Sequence, residues 1–566
     1  MKKKRLMAAR MLGHRLNMSA ANYMGSAFPS QRFRSKPLVI VAAIALVYLV
    51  TLTGDYYQDG ITFALQIEKV ASAERGTYLL FHQNHLLYNL IGYLNYKLVC
   101  AAGLSVRSLY ILQITNCIAG AAAIGIFFRL AEKVTRSRYA ALISAAVFAF
   151  AAVWRRLATD ANAYVISILL ILICSDALMS KHPRLLIAGL TLACAMLIHQ
   201  LASLFYPAAL VAVFANNKSE HKWRFAAKLT AIAWGLTIGA YYLCAVFIQN
   251  IKGPLEVFKW AISNPSDVSP SANPMRGLEV LPRGSIDMFV GHSFALFRSQ
   301  AGVVEKVFAL AALLCGLLCL FVLVRSVRSA TYRRVSSLRP LNGNAGNSPP
   351  TQTGQSTVRL ITRLSLIRPL TEHAESVWLP VLAVWAGTYI FFLLFWEPWQ
   401  VLYRAFYVAP LALALGLLIR LYHDVTMTLP SGAAALMAIT LVFSNVAFLI
   451  IPHMRTTSNP LVSAAFDAQR IWNAKTIVYF SDRTEADTAF EYFNNQTKWR
   501  RLNSEARSSL TNEIHRASSE GEHIWLNKGA FEQVKQTSFG QIDEGRKIWF
   551  ELPNASVRYV ELLPTQ

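Results

Sequence analysis

An all-α polytopic membrane protein of about eleven transmembrane helices, with a small C-terminal α/β soluble domain, is the fold class predicted by three observations. Of 566 residues, 54% are hydrophobic and only 15% charged, against about 25% charged in ordinary soluble domains. Apolar runs near the ~20 residues that cross a bilayer recur from Pro37 to Ile451. Beyond residue 453 the character changes to short alternating strands separated by segments of helical spacing.

Taken in order, residues 1–37 form a basic N-terminus, and 38–452 form the membrane module. Its expected spans are 38–54, 107–128, 139–154, 161–178, 185–199, 201–215, 226–248, 303–324, 377–395, 405–421 and 430–451. The fifth and sixth are short and read equally as one bent or re-entrant unit around His199 to Pro207. Residues 55–106 form a first outer loop, in which ITFALQIEKV has amphipathic spacing and 86–103 is dotted with Tyr, Asn and Lys, the pattern of an interfacial helix. The first apolar run follows a long polar and basic stretch without a small-residue cleavage site, so no cleavable signal peptide is expected.

Charge sets the topology. The formal net charge is +24, yet the segment from Met454 onward holds 14 Lys/Arg and 14 Asp/Glu. The surplus lies in segments 1–37, 129–138, 179–184, 216–228 and 325–368. All of these share one side if the N-terminus is cytoplasmic, as the positive-inside pattern requires. A nucleic-acid partner is thereby argued against, because no soluble segment carries a basic stripe with interleaved aromatics. The stretch 326–375 reads as a disordered cytoplasmic loop, with arginines flanking NGNAGNSPPTQTGQST. With eleven spans the 453–566 domain faces outward, in the periplasm of a bacterial inner-membrane protein. The seven cysteines all fall in or beside apolar runs with no zinc spacing, which is the pattern of buried thiols.

In the tail, KTIVYFSD, HIWLNK, KIWFEL and VRYVEL are expected strands, and 484–495 and 503–518 expected helices. Asp482 reads as an N-cap or as a strand-end ligand residue. No nucleotide fingerprint is present there.

The polar residues that stand out cluster in outer loops. Gly54-Asp55-Tyr56-Tyr57-Gln58-Asp59-Gly60 places two carboxylates at the mouth of the first span, where an unpaired buried charge costs several kcal/mol. Four residues apart, Asp55 and Asp59 share a face of any helix they begin. A second cluster is His82-Gln83-Asn84-His85, and a third is Arg155-Arg156 with Asp160 in a tight turn. The fourth joins the ninth and tenth spans with Trp396, Glu397, Trp399, Tyr403 and Arg404, while His199 lies near the outer end of the fifth. Each has a plain structural reading: an aromatic belt, arginines snorkelling to lipid phosphate, an Asp paired with a neighbouring Arg. His82 and His85 lie one helical turn apart, and two histidines do not specify a metal. The concentration of acids, imidazoles, an amide and guanidinium groups at one face is what points to chemistry.

This order of features resembles the C-type glycosyltransferase superfamily (GT-C), multispanning enzymes that use lipid-phosphate sugars. The resemblance covers residues 38–450: an acid after the first span, an amphipathic first outer loop, HQNHLLYNLIGY similar to an HPPLYP-type segment, and ATDANAYVISILLIL similar to a second acidic turn. HQNH replaces the proline-containing form, and Asp160 stands where several relatives carry Glu. The resemblance implies an inverting transfer from a polyprenyl-phosphate sugar to a glycan, lipid or protein acceptor on the periplasmic face, within a lipid membrane. It implies Asp59, or else Asp55, as general base, with Asp160 as a second acid. Arg404, with Arg155 or Arg156 in reserve, would stabilise the leaving phosphate. Asp160, His85 and His199 would orient the acceptor or hold a divalent cation, Mg or Mn, and His82, Asn84 and Glu397 complete the expected substrate-binding set. No cofactor is required, and metal dependence stays open. Two other readings also stay open. One is a lipid-linked glycan polymerase or ligase built on the large outer loop 249–302. The other is a glycan flippase or transporter, which would favour mid-membrane charges and internal repeats.

Overall fold

The computed structural model describes residues 36–180, 182–216, 221–263, 274–291, 378–426, 429–481, 483–537, 542–552 and 555–564. The expected span 303–324, the loop 326–375, residue Asp482 and all but the end of segment 1–37 lie outside the described residues.

The chain opens with α1 (Lys36–Val50) and the outer-loop helices α2 (Gln58–Ala71) and α3 (Tyr88–Ala101). Next come α4 (Ser108–Thr135), α5 (Arg138–Phe150), α6 (Ala152–Ala158), α7 (Tyr164–Leu178) and α8 (Leu185–Ile198). A 3-10 turn, Gln200–Phe205, leads into α9 (Tyr206–Asn216) and α10 (Lys222–Phe247). Beyond the bundle lie α11 (Pro254–Ile262) and α12 (Pro274–Asp287), and the chain returns in α13 (Trp378–Phe395), α14 (Ala405–Thr426) and α15 (Leu429–Asn445). A π-helical turn, Val446–Ile450, and the short α16 (Ile451–His453) complete it.

Among the described residues, five helical stretches are long and apolar enough to cross a membrane, or six if the bent pair α5–α6 counts as one. Four shorter apolar helices fall at Pro37–Val50, Tyr164–Leu178, Leu185–Ile198 and Gln200–Ala215. These helices define a membrane protein. Ten of the eleven expected spans fall on these apolar segments, of which five or six among the described residues are long enough to cross a membrane. Two departures have local causes. The third expected span bends by 65°, because Ala151 takes extended dihedrals (φ −55, ψ 131) and turns Arg155 and Arg156 onto a separate helix. The chain also breaks at His199 (φ −153, ψ 122), whose ring Nδ1 accepts from the Leu201 N–H. The bundle core is rich in alanine, as Ala123, Ala131, Ala141, Ala409 and Ala412 show, and small side chains let helix backbones approach closely.

The C-terminal part begins with α17 (Pro460–Ala468), capped by Asn459, whose side chain accepts from Leu461 N and Val462 N. It continues β1 (Thr476–Phe480), α18 (Glu485–Phe493), β2 (Lys498–Arg501), α19 (Ser504–Glu520), β3 (His523–Asn527), α20 (Lys528–Thr537), β4 (Ile542–Leu552) and β5 (Ala555–Pro564). The sheet order is β2-β1-β3-β5-β4. β1 runs parallel to β2 and β3, and β5 runs antiparallel to β3 and β4. Side-chain alternation sorts the strands onto two cores. Ile477, Tyr479, Leu526 and Val560 pack with Leu510 and Phe531 from α19 and α20. Val478, Trp525 and Tyr559 face the other way, into a cluster that also holds Ile61, Phe63, Ala64 and Ile67 of α2. One hydrophobic core therefore joins the tail to the first outer loop. The cap of α18 is Thr484 rather than Asp482: Thr484 and Asp487 form a reciprocal capping box.

Candidate active site

The site is built on the Gly54–Gly60 loop, and two polar side chains from α4 hold that loop against the neighbouring turn. Gln113 donates to the Thr53 and Thr159 carbonyls at 2.9 and 3.0 Å. Asn116 donates to the Asp160 and Asn162 carbonyls at 2.6 and 2.8 Å. Asp160, 1% exposed, accepts from the Tyr57 and Ala161 N–H groups at 2.6 and 2.7 Å. Glycine is required at both ends of the loop. A Cβ on Gly60 would sit 2.3 Å from the Ala161 carbonyl oxygen, and one on Gly54 would sit 2.6 Å from the Thr456 nitrogen. Burial pushes the Asp160 carboxyl up to about 7, against the lowering effect of those two N–H donors.

Tyr57, with extended dihedrals, precedes α2 and leaves Asp59 in that helix's first turn. The helix dipole there favours a carboxylate, and the Tyr57 hydroxyl bonds to it. Burial nevertheless outweighs both and raises the Asp59 pKa above its ordinary 3.8. Asp59 lines a cavity of about 490 Å³ at the end of the bundle, a size suited to a small ligand.

The opposite wall comes from Glu397, Gln400 and Tyr403, in the turn between α13 and α14. Glu397 is 8% exposed and holds a left-handed backbone, φ +40, a conformation that costs a non-glycine residue about 1–2 kcal/mol. Such a residue persists only where its surroundings over-determine it, commonly at functional sites. Burial, and secondarily the Asp59 charge, raise the Glu397 carboxyl while the Tyr403 hydroxyl opposes them.

The floor joins two distant segments. His82, Asn84 and His85 come from the first outer loop, and His199 and Gln200 from the break after α8. Gln200 stitches them together: its N–H donates to the Asn84 carbonyl at 3.2 Å, and its side chain to the Gln83 and Ala261 carbonyls at 3.0 and 2.7 Å. The His85 and His199 rings meet edge to face at 4.6 Å. Burial holds His82 below its usual range and His85 well below it, so both are neutral. The His85 ring bonds the Ile198 backbone, and its Nδ1 is buried without a hydrogen-bond partner among the described residues. Gln66, Tyr164, Phe392 and Trp396 fill the remaining walls.

The cavity thus brings together Asp59, His82, Asn84, His85, His199 and Glu397. The other predicted site residues lie elsewhere. Asp55 pairs with Arg156 at 3.2 Å and with His453 at 3.4 Å. Arg155, 2% exposed, donates to the Thr51 carbonyl at 2.7 Å and to the Thr159 hydroxyl, and lies over the Tyr48 ring. Asp160 braces the loop from behind. Arg404, fully buried, donates to the Tyr407 hydroxyl at 2.8 Å and the Pro398 carbonyl at 2.7 Å. Its guanidinium lies against Gly284 of α12, turned away from the cavity. The guanidinium groups of Arg155, Arg156 and Arg404 are thus engaged by acceptors of the protein itself. Among the described residues no group of three or more His, Cys, Asp or Glu side chains is arranged to hold a metal ion.

The sequence reading assigns no role to Tyr57, Gln66, Tyr164, Gln200 or Gln400, all of which line the cavity. Gln200 had a signal, since an amide directly after a histidine at a helix break is exposed to a site; the others read as ordinary helix or belt residues. Arg276 of α12, with its guanidinium 5.9 Å from the Trp399 ring, stands beside the turn that forms the opposite wall.

Fold and site together define a membrane-embedded helical protein with a polar, two-carboxylate cavity at one end of its bundle. No protein-family model matches the chain, and no curated protein matches it. Among solved structures it is similar to ArnT from Cupriavidus metallidurans bound to undecaprenyl phosphate, with 14% identity, TM-score 0.43, and 93% of this chain and 98% of that one covered. The apo form of the same protein gives 13% identity, TM-score 0.42, and coverage of 93% and 97%. The Archaeoglobus fulgidus oligosaccharyltransferase, in complex with Zn and sulfate, gives 14% identity, TM-score 0.40, and coverage of 93% and 73%. At these values the likenesses carry no functional assignment.

Proposed function

We propose that the protein is a membrane glycosyltransferase that moves a sugar from a polyprenyl-phosphate donor to a hydroxyl acceptor at the outer face, with inversion. The observation that carries this reading is the composition of the cavity. Carboxylates, amides and neutral imidazoles alternate with the rings of Tyr164, Trp396 and Tyr403 around a space the size of a small saccharide. Hydroxyl-rich rings need that mixture of hydrogen-bonding edges and apolar faces.

In this reading Asp59 takes the acceptor hydroxyl proton as the oxygen attacks the anomeric carbon. The new C–O bond forms as the bond from that carbon to the phosphate oxygen breaks, and the electron pair leaves with the phosphate. Glu397 accepts from a sugar hydroxyl, and the His85 ring lines the floor beneath the sugar. The charge of the leaving phosphate is the role we assign to Arg276, which stands beside the Trp399 ring in the turn that carries Glu397. The N-terminus is cytoplasmic, and the C-terminal domain lies on the side of the cavity.

The test is sugar transfer by purified full-length protein from a panel of polyprenyl-phosphate sugars, comparing wild type with Asp59→Asn. Transfer that is lost in the variant supports the reading. A wild-type protein that transfers nothing, or an Asn variant that works as well, refutes it.

A further inference from the structure

We infer that the C-terminal α/β domain is a working part of the site, holding α2 and thereby Asp59 in place, with Glu68, Arg107 and Tyr492 as positioning residues. This rests on the reading of Asp59 as the base.

The domain grips both ends of the segment that carries Asp59. Ahead of the helix, Asn459 donates to the Tyr56 carbonyl at 3.2 Å, and the Tyr56 ring packs against Phe493 at 5.9 Å. At the far end, Glu68 is a convergence point. It accepts from Arg107 Nε at 2.9 Å, from the Ser108 N–H and hydroxyl at 2.9 Å each, and from the Tyr492 hydroxyl at 3.4 Å. The same Tyr492 hydroxyl accepts from the Leu109 N–H at 3.2 Å. Arg107 donates to the Tyr492 carbonyl at 2.7 Å and lies 4.0 Å from the centre of its ring. One tail residue therefore closes a knot between α2 and the start of α4. Next to it, Lys69 pairs with Glu491, which Arg483 also engages. Between the two ends, the shared apolar core packs α2 against Phe490 and Tyr559.

These contacts are far from the cavity in sequence, yet the helix transmits them. Glu68 stands nine residues beyond Asp59, about 13 Å along the axis at ~1.5 Å per residue. A tilt of about 4° at that lever arm moves the first turn by about 1 Å, a misplacement that costs about 10²-fold in rate. No residue of the knot lines the cavity, so its loss removes no substrate contact directly.

The experiment uses the full-length protein in nanodiscs, as wild type, Glu68→Gln, Tyr492→Phe and the control Tyr479→Phe. Tyr479 makes its hydroxyl contact with Glu513 on the other face of the same sheet. Hydrogen exchange of peptides covering 55–71 is measured beside kcat and KM for transfer. Expected for Glu68→Gln and Tyr492→Phe are exchange at least tenfold faster in 55–71 and a kcat at least tenfold lower, with KM within twofold. Tyr479→Phe should do neither. Unchanged exchange, unchanged kcat, or an equal effect from Tyr479→Phe overturns the inference. If wild type transfers no sugar, the glycosyltransferase reading fails, and the exchange measurement alone then decides whether the tail holds α2.

Discussion

Replacing Asp59 by Asn separates a catalytic carboxylate from a structural one, because the two roles predict opposite effects on stability. Asn keeps the shape and an oxygen for the Tyr57 hydroxyl but cannot take a proton. Loss of a positioned general base costs about 10²–10⁴-fold, or roughly 3–5 kcal/mol of transition-state stabilisation. The loss belongs in kcat, with KM nearly unchanged, since the cavity keeps its other lining groups. In wild type the base works only when ionised, so activity falls as pH drops through its pKa. Burial has raised that pKa above 3.8, and the acid limb therefore begins at higher pH than for an exposed aspartate. The stability sign runs the other way. A carboxyl whose folded pKa is raised contributes stability below the unfolded value, and that contribution is lost as pH rises through the folded value. Asp59→Asn has no such dependence. The variant should match or exceed wild type in thermal unfolding at pH 8 and lose that advantage at pH 4. Steady-state transfer assays and unfolding scans at both pH values check this. A variant that retains kcat within threefold, or that is less stable than wild type at pH 8, refutes the assignment of Asp59 as a buried base.

Five further outcomes are expected. Asp160→Ala removes the acceptor for the Tyr57 and Ala161 N–H groups and should cost about 1–3 kcal/mol, measured by thermal unfolding. Asp160→Asn should remove the fall in wild-type stability that accompanies rising pH through about 7. His85→Ala should raise KM by about 2–10-fold with a smaller change in kcat, as expected for the loss of one cavity-lining contact of about 0.4–1.4 kcal/mol. Arg404→Ala should lower the unfolding temperature and yield rather than alter the kinetics of surviving protein, because it strips buried donors from Tyr407 and Pro398. Glu397→Gly should relieve about 1 kcal/mol of backbone strain at φ +40, so the protein becomes more stable while its transfer rate falls.

Helix positions were readable wherever apolar runs were long, and the strands at Thr476–Phe480 and His523–Asn527 followed from alternation bounded by turn residues. β2, Lys498–Arg501, was missed because KWRR is an exposed edge with no apolar signal. The shared core of α2 with Val478 and Tyr559 was also unreadable, since it joins segments some 400 residues apart. For the site, residue type indicated which side chains deserved notice, and packing determined where they went. The histidines and Asn84 reached the cavity because a break at His199 lies against the first outer loop. The arginines did not. At the end of a membrane helix a guanidinium finds backbone carbonyls and hydroxyls close by, as Arg155 does at Thr51 and Arg404 at Pro398. From sequence such an arginine is indistinguishable from one that waits for a phosphate.

The Asp55–Asp59 pair makes the same point at four-residue range. A spacing of four puts two side chains on one face only if both belong to the helix. Here the helix begins at Gln58, because Tyr57 is held extended by Asp160 behind it. Asp55 therefore lies outside the repeat and turns to Arg156 and His453, while Asp59 enters the first turn and faces the cavity. What separates the two carboxylates is the Tyr57 N–H hydrogen bond accepted by a third, 101 residues further on than Asp59. If Asp160 were unable to accept from Tyr57, the helix could start earlier and the distinction between the pair would weaken. The double variant Asp160→Ala with Asp59→Asn bears on this directly. Should Asp55 substitute for the missing base once the loop is released, the double variant will transfer sugar faster than Asp59→Asn alone. The geometry predicts that it will not, because Arg156 and His453 keep Asp55 where it is.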